Sequence, residues 1–109
     1  MIKAAIIGLG WWGQTILKNL LNSAVIAPVL GVDPLDQPRA SAAKLGVATA
    51  PRFEDALLNS DVDAVILCTP QERHAEQIVA AARSGRHVFC EKPLCTTAAE
   101  AEAAIAAVK

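Results

Sequence analysis

Short apolar runs alternate with helical patterns along the whole chain. The run Ala4–Ile7 is continuous and strand-length, as expected of a parallel strand buried on both faces. Similar runs occupy Val29–Val32, Ala64–Cys68 and His87–Cys90, and Val47–Ala48 is a weaker one. The pattern therefore predicts five strands. Pro28 cannot donate to a ladder, so we expect it at or before the first residue of the second strand.

The segments between the first strands carry helix signals. The first helix should bury one apolar face, made of Ile16, Leu17, Leu20 and Leu21. Asp36 is expected to cap a second helix that begins near Pro38 and ends at Gly46. A short third helix is predicted over Arg52–Leu58.

Two further helices complete the pattern. The fourth shows the stripe of an amphipathic helix and is closed by Gly85; the stripe is Ala75, Ile78, Val79 and Ala82. The last opens with Thr97 and Glu100 at capping-box spacing. Its inward face is predicted to carry Ala101, Ile105 and Val108.

This alternation predicts an α/β fold in one domain, residues 1–109. Successive parallel strands need right-handed crossovers, so we expect a doubly wound, Rossmann-like parallel sheet with about five strands in the order 3-2-1-4-5. In such a sheet, ligands bind beyond the carboxyl ends of the strands, near the point where strand order reverses.

Composition excludes several classes of function. The formal net charge is −1 and aromatic residues make up 4% of the chain, so neither nucleic acid nor an anionic membrane is an expected partner. No apolar segment reaches the roughly 20 residues of a membrane span, and no signal peptide is recognisable. Three cysteines, an odd number, do not predict a disulfide framework. We expect a cytoplasmic protein.

A glycine turn follows the first strand and opens the first helix. Gly8, Gly10 and Gly13 form G-x-G-x-x-G around Trp11 and Trp12. In this context the glycines allow a tight turn, close approach of a pyrophosphate and close packing of the helix on the sheet. The N–H groups at the start of the helix, those of Trp11 and Trp12 included, would face the phosphates. One indole is expected to pack locally and the other could face the nicotinamide, and the sequence does not say which.

Asp33 ends the second strand, twenty residues after Gly13. An acidic side chain there accepts hydrogen bonds from the adenosine ribose, and it would repel a 2′-phosphate. The nearest arginine is Arg39. These features predict NAD as the cofactor, in preference to NADP. The alternative is a turn or capping role for Asp33 before Pro34, and the two roles are compatible.

The carboxyl ends of strands four and five should form the far side of the crevice. Cys68, Thr69 and Pro70 end strand four, and His74 begins the next helix, where a structural role is the commoner one. Strand five ends in Glu91-Lys92-Pro93. Partial burial there would lower the pKa of Lys92 and suit it to proton transfer. An ordinary surface ion pair is an equally good interpretation of the lysine.

Taken together, these motifs resemble the Gfo/Idh/MocA oxidoreductase family, over essentially the whole chain. The specific part is Glu91-Lys92-Pro93; the glycine motif is shared more widely. The resemblance implies the family's N-terminal nucleotide-binding domain, with hydride transfer between NAD(P) and a hydroxyl-bearing carbon of a sugar or cyclitol. It implies that Lys92 is the catalytic residue that moves the hydroxyl proton and that His74 lies near the cofactor. Gln71 departs from the family, which usually has Asn or a small residue there.

The resemblance also implies what a longer family member would add. The C-terminal substrate domain of the family, which carries the substrate pocket, has no counterpart in these residues, nor does a sixth Rossmann strand. We therefore expect no dehydrogenase turnover by these 109 residues alone. Strand five would then lie at the edge of the sheet, with Val88 and Phe89 available to pair with another chain, so self-association is predicted.

Three alternatives remain open from the sequence. The domain could sense a dinucleotide without chemistry, or it could bind another adenine-containing ligand such as coenzyme A or S-adenosylmethionine. A metal site made of Cys68, Cys90, Cys95 and His74 or His87 is the weakest alternative, since no C-x-x-C pair occurs and buried cysteines usually act as small apolar residues. No metal is expected.

Overall fold

The computed structural model describes residues 1–90 and 98–108 of the chain. Strands and helices alternate within them. The strands are β1 Ile2–Ile7, β2 Ile26–Val32, β3 Ala48–Ala50, β4 Ala64–Leu67 and β5 His87–Cys90. The helices are α1 Trp11–Leu20, α2 Asp36–Ala43, α3 Phe53–Leu58, α4 His74–Arg83 and α5 Ala98–Val108, and a 3-10 turn, Gln71–Arg73, precedes α4.

The five strands form one parallel sheet in the order β3-β2-β1-β4-β5. The predicted doubly wound fold is confirmed, and its strand order reverses between β1 and β4. Each face of the sheet carries its own core. One cluster includes Ile7, Val65 and Leu67, and the other includes Ile6, Leu9 and Leu17. Both cores lie under the carboxyl ends of β1 and β4, and so they fix that edge rigidly.

The second strand begins earlier than predicted, so the placement of Pro28 was wrong. Pro28 lies inside β2, where it pairs with Ala4, and Ala5 pairs with Leu30. Val29 is thus left over between the two pairs as a bulge. A bulge is one of the few places in a sheet that tolerate proline, because the ladder is already interrupted there. β3 pairs only with the later part of β2, from Leu30 onward.

The start of α2 and the end of α1 also differ from the predictions. Asp36 is the first residue of α2 and not its cap; Leu35 holds the cap position, and Pro38 lies in the first turn. A proline fits there because the first N–H groups of a helix have no partner within the helix. Leu21 follows the end of α1 and is exposed, so it does not belong to the buried face. Gly46 and Gly85 do adopt the left-handed conformation expected after a helix.

The inward face of α5 was predicted wrongly. Ile105 and Val108 are exposed, and Ala104 is the buried residue of this helix. α5 packs mainly against α4, and a close helix–helix contact favours the small side chain over the large ones. The predicted cap at Thr97 lies outside the described residues.

No helix among the described residues is long and apolar enough to cross a lipid bilayer.

Candidate functional site

The glycine turn has the geometry that its three glycines require. Gly8 has a φ of +94°, and a Cβ there would lie 2.7 Å from the carbonyl oxygen of Cys68. A Cβ on Gly13 would lie 1.8 Å from the carbonyl oxygen of Gly8. These two positions therefore join β1, α1 and the end of β4 in direct backbone contact. A Cβ on Gly10 meets nothing within 4 Å, so this glycine borders open space.

The first turn of α1 faces that space without a negative charge of its own. Gly10 is the cap residue, it provides no side-chain cap, and the first turn contains no acidic residue. The positive end of the helix dipole there would stabilise an external anion. Gln14 supports the turn from behind, since its side-chain amide donates to the carbonyl oxygens of Leu9 (3.2 Å) and Pro38 (3.0 Å).

Asp33 ties the glycine turn to the end of β2. Its Oδ2 accepts the N–H of Leu9 at 2.9 Å, and its Oδ1 accepts the N–H of Leu35 at 2.9 Å. The side chain of Leu9 is buried and lies over Gly31, where a Cβ would be 3.1 Å from Leu9 Cδ1. Each carboxylate oxygen keeps further lone pairs for a ligand. The turn role and the ligand role proposed for Asp33 can therefore coexist.

A crevice of about 550 Å³ opens at the carboxyl ends of β1 to β4. One wall comes from the ends of β2 and β3 and includes Asp33, Leu35 and Phe53. The opposite wall comes from the end of β4 and the start of α4. It includes Cys68, Thr69 and Pro70, which were predicted from the sequence, and Gln77, which was not. Gly8 and Gly10 form the floor between the walls, where the strand order reverses.

The structure places His74 under the crevice wall. It begins α4 as predicted, but its side chain is 2% exposed, and its Nε2 is 2.9 Å from the carbonyl oxygen of Thr69. A carbonyl only accepts, so this nitrogen carries the hydrogen. Through this bond His74 holds Thr69, which lines the crevice.

The two tryptophans lie at the mouth of the turn. Their ring centroids are 5.8 Å apart with a tilt of 31°, so the indoles pack on each other. Trp11 is 80% exposed and Trp12 is 42% exposed. Trp11 also borders a shallow groove between the first turns of α1 and α2. Both indoles are close enough to the turn to report on a ligand there.

Three arginines near the crevice were not assigned to it from the sequence. Arg52 and Arg73 lie on opposite walls, each paired weakly with an acid one turn on, at 3.8 Å and 3.6 Å. Arg39 bonds to the backbone carbonyl of Asp33 at 2.8 Å and to the Asp36 carboxylate. No local motif marks these residues, because only the folded sheet brings β2, β3 and β4 together.

The predicted residues Glu91, Lys92 and Pro93 lie outside the described residues. β5 ends at Cys90, opposite Leu67 of β4. Cys68 and Cys90 pack with different core clusters, on opposite faces of the sheet. Among the described residues, no three His, Cys, Asp or Glu side chains are grouped so as to hold a metal ion.

Comparison with known proteins shows which family this chain belongs to. Residues 2–109 match the GFO_IDH_MocA oxidoreductase family, described as an NAD-binding Rossmann fold. The chain belongs to this family. The resemblance carried by the glycine turn, Asp33 and the Glu-Lys-Pro motif is thereby confirmed, and the crevice is that of a Gfo/Idh/MocA Rossmann domain.

Individual relatives agree with this assignment. Inositol 2-dehydrogenase of Salmonella typhimurium is 36% identical over an alignment 110 residues long, which covers 97% of this chain and 33% of the relative. The scyllo-inositol dehydrogenase of Lactobacillus casei, solved with NAD(H) and scyllo-inositol, has a TM-score of 0.91 and 29% identity over 99% of this chain and 33% of its own. A 3-ketoreductase of Actinomadura kijaniata, solved with NADP, has a TM-score of 0.91 and 28% identity over 98% of this chain and 34% of its own. This Gfo/Idh/MocA chain thus spans about a third of the length of these relatives.

Proposed function

We propose that the chain is the cofactor-binding part of a polyol dehydrogenase and that the crevice holds NAD(H). The observation that carries the proposal is the uncapped, acid-free first turn of α1, which opens beside Gly10 into free space. The pyrophosphate would lie over this turn, and the adenosine ribose would bond to Asp33. Arg52 and Arg73 on the two walls would add positive charge near the phosphates.

The choice of NAD over NADP follows from the charges around Asp33. A 2′-phosphate would approach a carboxylate that is held in place by two backbone N–H groups. Arg39 is the nearest cation, but Asp36 and the Asp33 carbonyl already engage it. Solved relatives include one with NAD(H) and one with NADP, so the family accommodates both cofactors. The local charges of this chain favour NAD.

Titration with cofactor tests the proposal directly. NADH should quench the fluorescence of Trp11 and Trp12 in a saturable way, because both indoles adjoin the turn. NADPH should bind at least about tenfold more weakly, which corresponds to about 1.4 kcal/mol of charge repulsion. Coenzyme A serves as the control for a different adenine-containing ligand. Saturation by coenzyme A and not by NADH, in a chain shown by circular dichroism to be folded, would refute the assignment.

The catalytic part of the proposal concerns Lys92. The resemblance assigns Lys92 the transfer of the substrate hydroxyl proton while hydride passes to the nicotinamide, with Glu91 orienting nearby groups. The bound nicotinamide would supply the hydride chemistry, and a small polyhydroxylated compound is the substrate class. Turnover is expected only when a substrate-binding part is present. Lys92→Met should then abolish oxidation of the polyol and leave NADH binding in place; a pure dinucleotide sensor would not respond to this change.

We also propose that the chain self-associates through β5. β5 pairs with β4 and lies at the end of the strand order. Phe89 is 62% exposed and borders an apolar groove of about 260 Å³ with Ile16, Leu20 and Ile66. An open edge next to an apolar groove favours pairing with a second copy.

Phe89→Lys should therefore reduce self-association measured by sedimentation velocity at rising concentration. The wild-type mass should move toward that of a dimer, and the Phe89→Lys mass should remain monomeric at the same concentrations. Leu58→Lys is the matched control, because Leu58 is 82% exposed at the end of α3 and lies away from β5. A wild-type chain that stays monomeric, or equal effects of the two substitutions, would argue against association through the β5 edge.

We propose the cytoplasm as the compartment of this protein, because three cysteines, an odd number, do not predict a disulfide framework.

A further inference from the structure

Two buried polar side chains of α4 hold Thr69 from two directions. His74 is 2% exposed and Gln77 is 3% exposed, in a part of the core that is otherwise apolar. His74 Nε2 bonds to the Thr69 carbonyl oxygen at 2.9 Å, and Gln77 Oε1 lies 2.5 Å from Thr69 Oγ1. Polar groups buried at this depth are costly unless they are bonded, so these contacts define the conformation of Thr69.

The contact between Thr69 and Gln77 has a fixed direction. A separation of 2.5 Å falls in the range of O–H···O hydrogen bonds and is shorter than N–H···O bonds normally are. An amide oxygen carries no hydrogen, so the threonine hydroxyl is the donor and Gln77 is the acceptor. Thr69 has only this one hydroxyl hydrogen. Toward any third group, its oxygen can therefore only accept.

Thr69 and Gln77 both line the crevice that also contains Asp33. A ligand that fills the crevice meets Thr69 on the β4 wall and Asp33 on the β2 wall. Phosphate oxygens carry no hydrogen at neutral pH except on a monoester, so they cannot donate to Thr69. Hydroxyl and amino groups can. The Thr69 hydroxyl is thus suited to a hydrogen-bond donor and not to the pyrophosphate.

We infer that Gln77 is a positioning residue, which orients the Thr69 hydroxyl as an acceptor for a hydroxyl or amino group of the adenosine half of the cofactor. The inference rests on the proposed binding of a dinucleotide in this crevice. The adenosine half is specified because Thr69 shares the crevice with Asp33, the residue proposed to bond the adenosine ribose. Gln77 thereby becomes a determinant of affinity through its bond to Thr69.

A double-mutant cycle on the 109-residue chain tests the inference. Thr69→Val removes the acceptor, and Gln77→Met removes the orienting oxygen at similar volume. Each should weaken the binding of both NADH and ADP about threefold to tenfold, as expected for one neutral hydrogen bond. In the Thr69→Val background, Gln77→Met should change affinity less than twofold, because the bond it orients is already lost. Thr69→Ser keeps the hydroxyl and should retain most of the affinity.

Two analogue arms identify the donor. With IDP, which lacks the amino group, the Thr69→Val penalty disappears if Thr69 accepts from the adenine. With 2′-deoxy-ADP or 3′-deoxy-ADP it disappears if Thr69 accepts from a ribose hydroxyl. A penalty that persists with all three analogues overturns the inference, and so does a Gln77→Met effect that is undiminished in the Thr69→Val background. A wild-type chain that binds neither NADH nor ADP overturns the proposed function as well, whereas normal binding by Thr69→Val overturns the inference alone.

Discussion

Replacing Gly13 with alanine is expected to cost about 3 kcal/mol or more of folding free energy, although alanine is the better helix former. Gly13 lies in the first turn of α1, and the added Cβ would be 1.8 Å from the carbonyl oxygen of Gly8. Both atoms belong to backbone, so neither can rotate away. α1 would have to move off the sheet, and the core beneath it, which includes Leu17, would open. Thermal unfolding followed by circular dichroism should show a midpoint lower by roughly 10–20 °C.

Gly10→Ala is the matched variant, which is expected to keep most of its stability and to lose NADH affinity. The new methyl group meets nothing within 4 Å, and the backbone at Gly10 is extended, with φ −70°. The loss of stability should stay below about 1 kcal/mol, the usual difference between glycine and alanine at a helix cap. The methyl group does, however, occupy the space in which the pyrophosphate is proposed to lie. NADH affinity should fall at least about tenfold, or 1.4 kcal/mol.

Comparing the two variants separates folding from binding. Gly13→Ala should lose both stability and NADH quenching, whereas Gly10→Ala should lose only the quenching. Normal stability of Gly13→Ala would show that α1 can move away from the turn at little cost. Normal NADH affinity of Gly10→Ala would place the pyrophosphate elsewhere than over Gly10 and would contradict the proposed site.

The fold was predictable because its local signals agree with one another. Buried strands such as Ala64–Leu67 read as continuous apolar runs, and the glycines after helices mark the turns. Right-handed crossovers then allow few arrangements, and the predicted strand order is the observed one. The prediction for the start of β2 failed because two local rules competed there. Pro28 argued against a strand interior, and the bulge at Val29 made room for it.

Part of the candidate site was predictable, because one chain segment builds the glycine turn and because Asp33, Thr69 and Pro70 follow strands whose carboxyl ends meet at one edge of the sheet. The glycine turn is a single segment, and so Gly8, Gly10 and Gly13 could be assigned from spacing. The crevice walls instead combine segments that only the folded sheet brings together, as with Arg52 and Arg73. Gln77 did leave a signal, a polar residue between the buried Ala75 and Ile78 of α4. A buried amide in an apolar stripe must have a partner, and that partner is Thr69.

Asp33 should prove to be both a structural and a cofactor-binding residue. Its carboxylate accepts the N–H groups of Leu9 and Leu35, which belong to the two segments on either side of the proposed ribose site. Asp33→Ala leaves both N–H groups without this acceptor, and a hydrogen bond to a charged group contributes about 1.5–3 kcal/mol. We expect a loss of about 2 kcal/mol in unfolding free energy, together with at least tenfold weaker NADH binding.

Asp33→Asn separates the effect of the carboxylate charge from the effect of its two hydrogen bonds to backbone N–H groups. The amide oxygen can still accept one of the two N–H groups, so stability should lie between that of wild type and that of Asp33→Ala. Removal of the negative charge relieves the repulsion of a 2′-phosphate. The ratio of the NADPH to the NADH dissociation constant should therefore fall about tenfold, measured by parallel tryptophan titrations.

Asp36→Ala is the control for a general effect of lost negative charge. Asp36 lies three residues further on, its side chain is 97% exposed, and its described partner is Arg39. Stability and NADH affinity should both stay close to the wild-type values, because an exposed ion pair contributes little. If Asp33→Asn left the cofactor ratio unchanged while lowering stability, Asp33 would be a purely structural link between the glycine turn and β2. If both Asp33→Asn and Asp36→Ala lowered the ratio of the NADPH to the NADH dissociation constant, NAD selectivity would instead arise from the combined negative charge of the two carboxylates.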